Sequence, residues 1–137
     1  MTRAKELVVI DGANVAYEEK SAGGKPKLAN LLKVKREMEE RGFDTVIIVD
    51  ASLKYDIDDQ TQMAALIESQ HIRQVPAGTD ADFFILDIAD QHGARIVTND
   101  QYRDYRDRYP WIQDRRLPYM IVKGEVHLYE VDDRLTA

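Results

Sequence analysis

Short apolar runs alternate along this chain with longer amphipathic segments, and this alternation constrains the fold more than any other feature. Apolar runs of this length fit strands that are buried on both faces. The longer segments carry apolar residues at helical spacing. Strands that alternate with helices are typical of a βαβ protein with a parallel sheet, so an α/β fold is expected.

Turn and capping residues place the expected elements along the chain. The expected strands cover residues 6–11, 45–51, 72–76 and 94–99, and a hairpin covers 119–131 with Lys123-Gly124 near its turn. The expected helices run from Pro26 to a stop at Gly42, over 56–70, over 81–93 with a stop at Gly93, and from Asp100 to Pro110. With no repeat or linker in the sequence, residues 1–137 are interpreted as one domain.

The composition excludes several classes of site. The chain has no cysteine, so a disulfide framework, a thiolate nucleophile and a zinc-thiolate site are all impossible. A net charge of −6 argues against a protein that coats nucleic acid, although basic residues concentrate in 25–42 and 101–118. No membrane-spanning stretch or signal peptide is evident, and a cytoplasmic protein is therefore expected.

Three expected strands end at an aspartate: Asp11, Asp50 and Asp100. Aspartate is rare inside strands and common where a strand gives way to a loop. In an open parallel sheet, the carboxyl ends of the strands line the ligand crevice at the point where the strand order reverses. If the order is 3-2-1-4-5, Asp11 and Asp100 face each other across that crevice.

Two further aspartates are expected at the same edge. Asp82 opens the helix before the fourth strand. Asp104 follows Asp100 by four residues, a spacing that would place Asp100 and Asp104 on one helix face. Converging carboxylates repel one another by about 4 kcal/mol for a pair about 4 Å apart, unless a cation lies among them. Oxygen ligands without sulfur suit Mg²⁺ or Mn²⁺, which can assist phosphodiester hydrolysis.

Taken singly, some of these acids also have an ordinary structural interpretation. Asp100 and Asp82 could serve only as helix-capping or first-turn residues. Asp11 is different, because burying a carboxylate at the end of an apolar strand is costly without a partner. The set therefore favours a site, whereas Asp50 could be either a crevice residue or a loop cap.

Neutral and basic residues near these acids could bind substrate. Asn14 could donate to a phosphate or hold a carboxylate, or it could form an ordinary Asx turn. Arg103 and Arg106 could bind phosphate through their guanidinium groups, or pair with surface acids. Three tyrosines could stack on bases or belong to the core: Tyr17, Tyr102 and Tyr105.

Three segments together resemble a known family: "VVIDGANVAY", "ADFFILDIADQHGARIVTNDQYRDY" and "RRLPYMIVKGEVHLYE". They are similar to the NYN branch of the PIN-like ribonucleases, nearest to the ribonuclease domain of the Regnase-type CCCH-zinc-finger proteins. "DGAN" and "TNDQYRD" are the specific parts. The resemblance implies a PIN-like three-layer α/β/α fold with a central parallel sheet and a C-terminal hairpin. It also implies Mg²⁺- or Mn²⁺-dependent endoribonuclease activity on single-stranded or looped RNA, and frequent self-association into homo-oligomers.

The resemblance also assigns individual residues. The matched family positions are Asp11 and its associated Asn14, Asp82 at the start of the helix before the fourth strand, and Asp100 and Asp104 of "ND" and "RD". Regnase-type domains have adjacent aspartates at that helix start, whereas this chain has Asp80-Ala81-Asp82, which leaves open whether Asp80 contributes. Without a zinc finger, RNA selection would depend on the domain surface, a second subunit or another protein.

The main hypothesis is a metal-dependent endoribonuclease. In it, the metal ligands are Asp11, Asp82, Asp100 and Asp104, Asn14 orients phosphate or water, and the RNA backbone is steered by Arg103, Arg106, Lys25 and Lys27. The alternative is a non-catalytic PIN-like module that binds RNA or protein. A third class, a 5′-nuclease or phosphatase on a similar sheet, would differ in its substrates.

Overall fold

A five-stranded parallel sheet in the order β3-β2-β1-β4-β5 organises the protein, as the sequence predicts. The structure is a computed structural model that describes residues 5–129. The sheet strands are β1 (Leu7–Asp11), β2 (Asp44–Val49), β3 (Ile72–Gln74), β4 (Arg95–Val97) and β5 (Arg116–Leu117). The helices are α1 (Gly12–Glu18), α2 (Leu28–Glu40), α3 (Leu53–Asp56), α4 (Gln60–Glu68), α5 (Ala81–His92) and α6 (Ile112–Arg115).

A separate antiparallel hairpin of β6 (Tyr119–Val122) and β7 (Glu125–Leu128) confirms the expected C-terminal hairpin. Lys123 and Gly124 form its turn with φ angles of 50° and 79°, as a tight two-residue turn requires. Positions 130–131 of the expected hairpin lie outside the described residues. Within residues 5–129, no helix has the length and apolar character needed to cross a membrane.

The central strand β1 is buried on both faces, which explains its uninterrupted apolar sequence. Val8 and Ile10 pack into one core cluster with residues of α1, α2 and α4. Val9, between them, faces the opposite cluster, which contains residues of α5 and α6. The sheet is therefore covered by helices on both faces, and the carboxyl ends of its strands form one edge, which is where open parallel sheets generally bind ligands.

Helix α1 follows β1 directly, although no helix is expected there from the sequence pattern. Gly12 permits this, because a Cβ at that position would meet the Val49 side chain and lie 2.8 Å from the Ile48 carbonyl oxygen. The buried Asn30 side chain on α2 holds the far end of α1 by donating to the carbonyl oxygens of Ala16 (3.1 Å) and Glu19 (2.8 Å). Both contacts are non-local, and together they hold α1 at the edge of the sheet formed by the carboxyl ends of the strands.

Two of the expected helices differ from those in the structure. Helix α2 begins at Leu28 rather than at Pro26, because the Asp58 carboxylate accepts a hydrogen bond of 2.9 Å from the Leu28 N–H. The single helix expected over 56–70 is two helices, α3 and α4. Between them Ile57 is fully buried in extended backbone, and Asp59 caps α4.

The helix expected from Asp100 to Pro110 is wrong. The Asp100 carboxylate accepts a hydrogen bond of 2.8 Å from the Tyr102 N–H, and Tyr102 adopts a left-handed conformation with φ 47°. Only a short 3-10 helix, Arg103–Tyr105, follows. Asp104 therefore does not share a helix face with Asp100, and helix α6 forms only after Pro110.

Candidate active site

A cleft of about 380 Å³ opens where β1 and β4 end beside the start of α5. It lies at the point where the strand order reverses, which is the usual ligand position in such sheets. The residues that line it are Asp11, Ala13, Asn14, Tyr17, Glu18, Asp82 and Asp100. We call it the acidic cleft, because its described lining includes four acids and no lysine, arginine or histidine.

Asp11 is the most buried of these acids, with only 5% of its surface exposed. Its Oδ2 accepts hydrogen bonds from the Thr98 hydroxyl (2.8 Å) and the Tyr102 hydroxyl (2.6 Å), and its Oδ1 accepts one from the Asn14 N–H (3.4 Å). Burial raises the pKa of Asp11, and these hydrogen bonds oppose that rise by stabilising the ionised form. The carboxylate is thus held in one orientation at the base of the cleft.

Asp82 carries the clearest sign of electrostatic crowding. Its burial, followed by the charges of Asp11, Asp100, Asp80 and Asp50, raises the pKa of Asp82 to about 7. The side chain lies in the first turn of α5, where the helix dipole favours an anion, but burial and the surrounding acids outweigh that effect. A cation in this cleft would relieve a repulsion that the described lining residues leave uncompensated.

Asn14 is oriented by two donors. Its Oδ1 accepts hydrogen bonds from the Asn99 N–H (3.0 Å) and from the Tyr119 hydroxyl (2.8 Å). Asn99 in turn donates through Nδ2 to the Tyr119 carbonyl oxygen (2.9 Å), which ties β6 to the end of β4. With Oδ1 occupied, the Nδ2 group of Asn14 makes no hydrogen bond within residues 5–129 and is available to a ligand in the cleft.

Asp50 and Asp80, whose participation in the site the sequence leaves undecided, act as caps. The Oδ1 atom of Asp50 accepts hydrogen bonds from the N–H groups of Ser52 (3.2 Å) and Leu53 (3.0 Å). Asp80 caps α5 by accepting from the Asp82 N–H (3.0 Å), and it also accepts a hydrogen bond from the Tyr105 hydroxyl. Neither residue lines the acidic cleft, although both charges act on Asp82.

The structure does not bring every candidate residue into this cleft. Asp104 is exposed on the 3-10 helix and does not line it. Arg103 and Arg106 both donate to the Gln101 side chain, at 3.1 and 3.4 Å. These three residues lie in or just after the 3-10 helix Arg103–Tyr105, between β4 and α6, and none of them lines the cleft.

The two candidate lysines lie in the loop between α1 and α2. Lys25 is exposed. The Lys27 ammonium lies 3.3 Å from the Glu19 carboxylate, so part of its charge is already compensated. Of the two, Lys25 is therefore the better placed to attract an anion from solution.

Sequence reasoning missed the hydroxyl groups that position Asp11. A threonine directly after β4 could have suggested Thr98, because its side chain lies at the same sheet edge. Nothing local indicates the role of Tyr102, which is 3% exposed and contacts an aspartate 91 residues earlier. Tyr17, one of the tyrosines considered for stacking on bases, does line the cleft, and 42% of its surface is exposed.

The acids suit a hydrated ion better than a tightly enclosed one. Within residues 5–129, no three acidic or histidine side chains are arranged to hold a metal ion directly. Both oxygens of Asp11 already accept hydrogen bonds from the protein. An all-oxygen donor set of this kind fits Mg²⁺, which usually keeps several of its waters in protein sites.

Comparisons with known proteins give a consistent picture. A family model described as the Zc3h12a-like Ribonuclease NYN domain matches residues 4–136. None of the curated protein sequences is significantly similar to the chain.

Two solved structures of the nuclear protein-only RNase P 2 of Arabidopsis thaliana share the fold. Both are 22% identical to this chain, with TM-scores of 0.71 and 0.69 over 90% and 91% of it. The chain spans only 29% and 30% of the length of those structures.

Proposed function

Because this chain belongs to the Zc3h12a-like ribonuclease NYN domain family, we propose that it is a divalent-metal-dependent endoribonuclease that cuts single-stranded or looped RNA. The observation that carries the proposal is the acidic cleft at the switch point of the sheet. Its described lining has acids without basic partners, and the crowding raises the pKa of Asp82 to about 7. A cation between the protein and a phosphate would balance both sets of negative charge.

In this proposal, Mg²⁺ or Mn²⁺ is held by Asp11, Asp82 and Asp100, in part through water. Asp104 would reach the ion only through water, because it lies on the exposed turn outside the lining of the cleft. When bound, the ion would polarise the phosphate and lower the pKa of an attacking water. Thr98 and Tyr102 both donate hydrogen bonds to Asp11 Oδ2 and would orient this carboxylate for the ion.

The remaining candidates would bind the RNA. Asn14 would donate from Nδ2 to a phosphate oxygen, since its Oδ1 is held by Asn99 and Tyr119. Four basic residues would attract the backbone: Arg103, Arg106, Lys25 and Lys27. With a net charge of −6, the chain needs such local cations to bind a polyanion.

Cleavage of an unstructured RNA labelled at one end tests the proposal. We expect internal cleavage with Mn²⁺ or Mg²⁺ and none with chelator, and a loss of kcat of about 100-fold or more in Asp11→Asn and Asp100→Asn. Asp87→Asn is the matched control, because Asp87 lies on α5, accepts a hydrogen bond from Gln91 (2.9 Å) and does not line the acidic cleft. Absence of cleavage by the unaltered protein, or equal cleavage by Asp100→Asn, would contradict the proposal.

A second candidate is a PIN-like module that binds RNA or protein without cutting it. It is favoured by one observation, that no three of the described acids and histidines are arranged to hold an ion directly. In that case RNA would bind equally well with metal or with chelator, no product would form, and Asp100→Asn would leave the affinity unchanged.

A further inference from the structure

A second cleft of about 480 Å³, which we call the β2–β3 cleft, opens at the same edge of the sheet. Its walls include Asp50 after β2, Lys54 and Tyr55 on α3, and Gln74 at the end of β3. The turn 77–79 closes one side. This volume falls within the range of about 300–1,000 Å³ that is typical of small-ligand pockets.

The two clefts are neighbours along the sheet edge. Asp50 lines the β2–β3 cleft and directly follows β2, whose Ile48 is paired in register with Asp11 of the acidic cleft. Tyr17 lines the acidic cleft, and after its partial burial the charges of Asp56 and Asp50 raise the pKa of its hydroxyl. The two clefts therefore lie at the ends of neighbouring strands, and an RNA strand whose phosphate is in the acidic cleft would bring its next nucleotide toward the β2–β3 cleft.

An exposed aromatic ring forms part of the β2–β3 cleft. Tyr55 is 70% exposed, and the Lys54 ammonium lies 5.2 Å from the centre of its ring. The Tyr55 ring contributes little to the stability of the fold, since most of its apolar surface stays in water. Exposed aromatic rings beside a cation are the usual means by which proteins stack on the bases of single-stranded nucleic acid.

Two residues in the lining of the cleft, Gln74 and Asp50, each have a side-chain oxygen without a hydrogen-bond donor among the described residues. Gln74 Oε1 is buried and has no hydrogen-bond partner within residues 5–129, an arrangement that is rare unless a ligand or water completes it. Asp50 uses only Oδ1 for its loop hydrogen bonds. Two acceptors suit the amino group of a base, whereas a phosphate would be repelled by the Asp50 carboxylate.

We propose that the β2–β3 cleft is a subsite for one nucleobase, adjacent to the phosphate that is cut. Tyr55 stacks on the base, and Gln74 and Asp50 accept hydrogen bonds from its amino group. Adenine, cytosine and guanine carry such a group and uracil does not, so uracil is the disfavoured base at this position. The inference rests on the proposed ribonuclease function for the identity of the ligand.

The experiment measures the binding of a short single-stranded RNA by fluorescence anisotropy, using the Asp100→Asn protein so that no RNA is cut. One abasic nucleotide is moved along the RNA. We expect a loss of affinity of about 10-fold at one position only, which is the size of a lost stacking contact. Tyr55→Ala should lose about 10-fold on intact RNA and become insensitive to that abasic position.

Two further variants separate stacking from base selection. Tyr55→Phe keeps the ring and should bind like its parent, which makes it the matched control. Gln74→Leu should reduce the preference for cytidine over uridine at the sensitive position, by about 5-fold if one hydrogen bond is lost. Unchanged thermal unfolding of Tyr55→Ala would show that the exposed substitution leaves the fold intact.

The outcomes distinguish this inference from the ribonuclease proposal. If Tyr55→Ala binds intact and abasic RNA with the same profile as its parent, the subsite is wrong, even when the unaltered protein cuts RNA. If the position-specific effect is present but no metal-dependent cleavage occurs, the subsite stands and the ribonuclease proposal fails. If no form of the protein binds RNA, the subsite is refuted.

Discussion

The Tyr102 hydroxyl donates a hydrogen bond of 2.6 Å to the buried Asp11 carboxylate, across 91 residues of sequence. Tyr102 reaches this position from a left-handed backbone conformation, which is uncommon for an aromatic residue. The Thr98 hydroxyl donates to the same oxygen atom. The candidate active site therefore depends on hydroxyl groups beneath the acids as well as on the acids themselves.

Removing the tyrosine hydroxyl should lower stability in a pH-dependent way. Tyr102→Phe leaves the buried Asp11 carboxylate with one donor fewer, at an expected cost of about 1–2 kcal/mol in the free energy of unfolding at pH 7.5. The bond stabilises the ionised form, so the cost should shrink at pH 4.5. Urea unfolding at both pH values measures it. Tyr55→Phe, at an exposed ring, should change neither value, and an equal cost at both pH values for Tyr102→Phe would show that the bond does not act through ionised Asp11.

The crowding at Asp82 should make the metal-free protein less stable as pH rises. Because folding raises the pKa of Asp82 from 3.8 to about 7, the folded state binds a proton that the unfolded state releases. Its favourable contribution is complete below about pH 4 and is lost between pH 4 and 7. In chelator at pH 8, Asp82→Asn should therefore be more stable than the unaltered protein by about 1–2 kcal/mol, a value reduced for partial solvent exposure. Asp87→Asn should show no such gain, and a gain that is independent of pH would point to a cause other than charge.

Divalent metal should reverse that trend without any RNA present. Mg²⁺ or Mn²⁺ that binds only the folded state should raise the midpoint of thermal unfolding as its concentration increases. A monovalent salt at equal ionic strength should not raise it. Asp82→Asn and Asp100→Asn should shift less than the unaltered protein, because each replaces a proposed carboxylate ligand with a neutral amide. The measurement is a thermal melt at pH 7.5 over a metal titration, and identical shifts in all three proteins would place the ion elsewhere.

Gly12 should tolerate no side chain. In Gly12→Ala the new Cβ would meet the Val49 side chain and lie 2.8 Å from the Ile48 carbonyl oxygen, so α1 must shift away from β2. We expect a loss of about 1–3 kcal/mol in stability, together with a weaker metal response, because the Asn14 N–H on α1 donates to the proposed metal ligand Asp11. Gly23→Ala is the control, since a Cβ there lies 4.0 Å from its nearest neighbour, the Ser21 hydroxyl oxygen. Equal denaturation midpoints for the two variants would refute the close approach.

Much of the fold could be predicted because its signals are local. The buried strands are marked by their apolar runs, and the stop of α5 by Gly93, which adopts the left-handed conformation that glycine favours. Helix α1 could not be predicted in this way, because its position depends on Gly12 meeting β2 and on Asn30 from α2. The break at Ile57 is likewise fixed by burial rather than by local propensity.

The alternation of strands and helices follows from the order of residues alone, as do the aspartates at the strand ends, and the parallel sheet brings Asp11 and Asp100 to one cleft. Which acids line that cleft depends on the folded chain: Asp82 does, whereas Asp50 caps a loop, Asp80 caps α5 and Asp104 lies exposed on the 3-10 helix. The physical reason is that local periodicity sets each element, while hydrogen bonds between residues far apart in sequence, such as Tyr102 with Asp11, set where each side chain comes to rest.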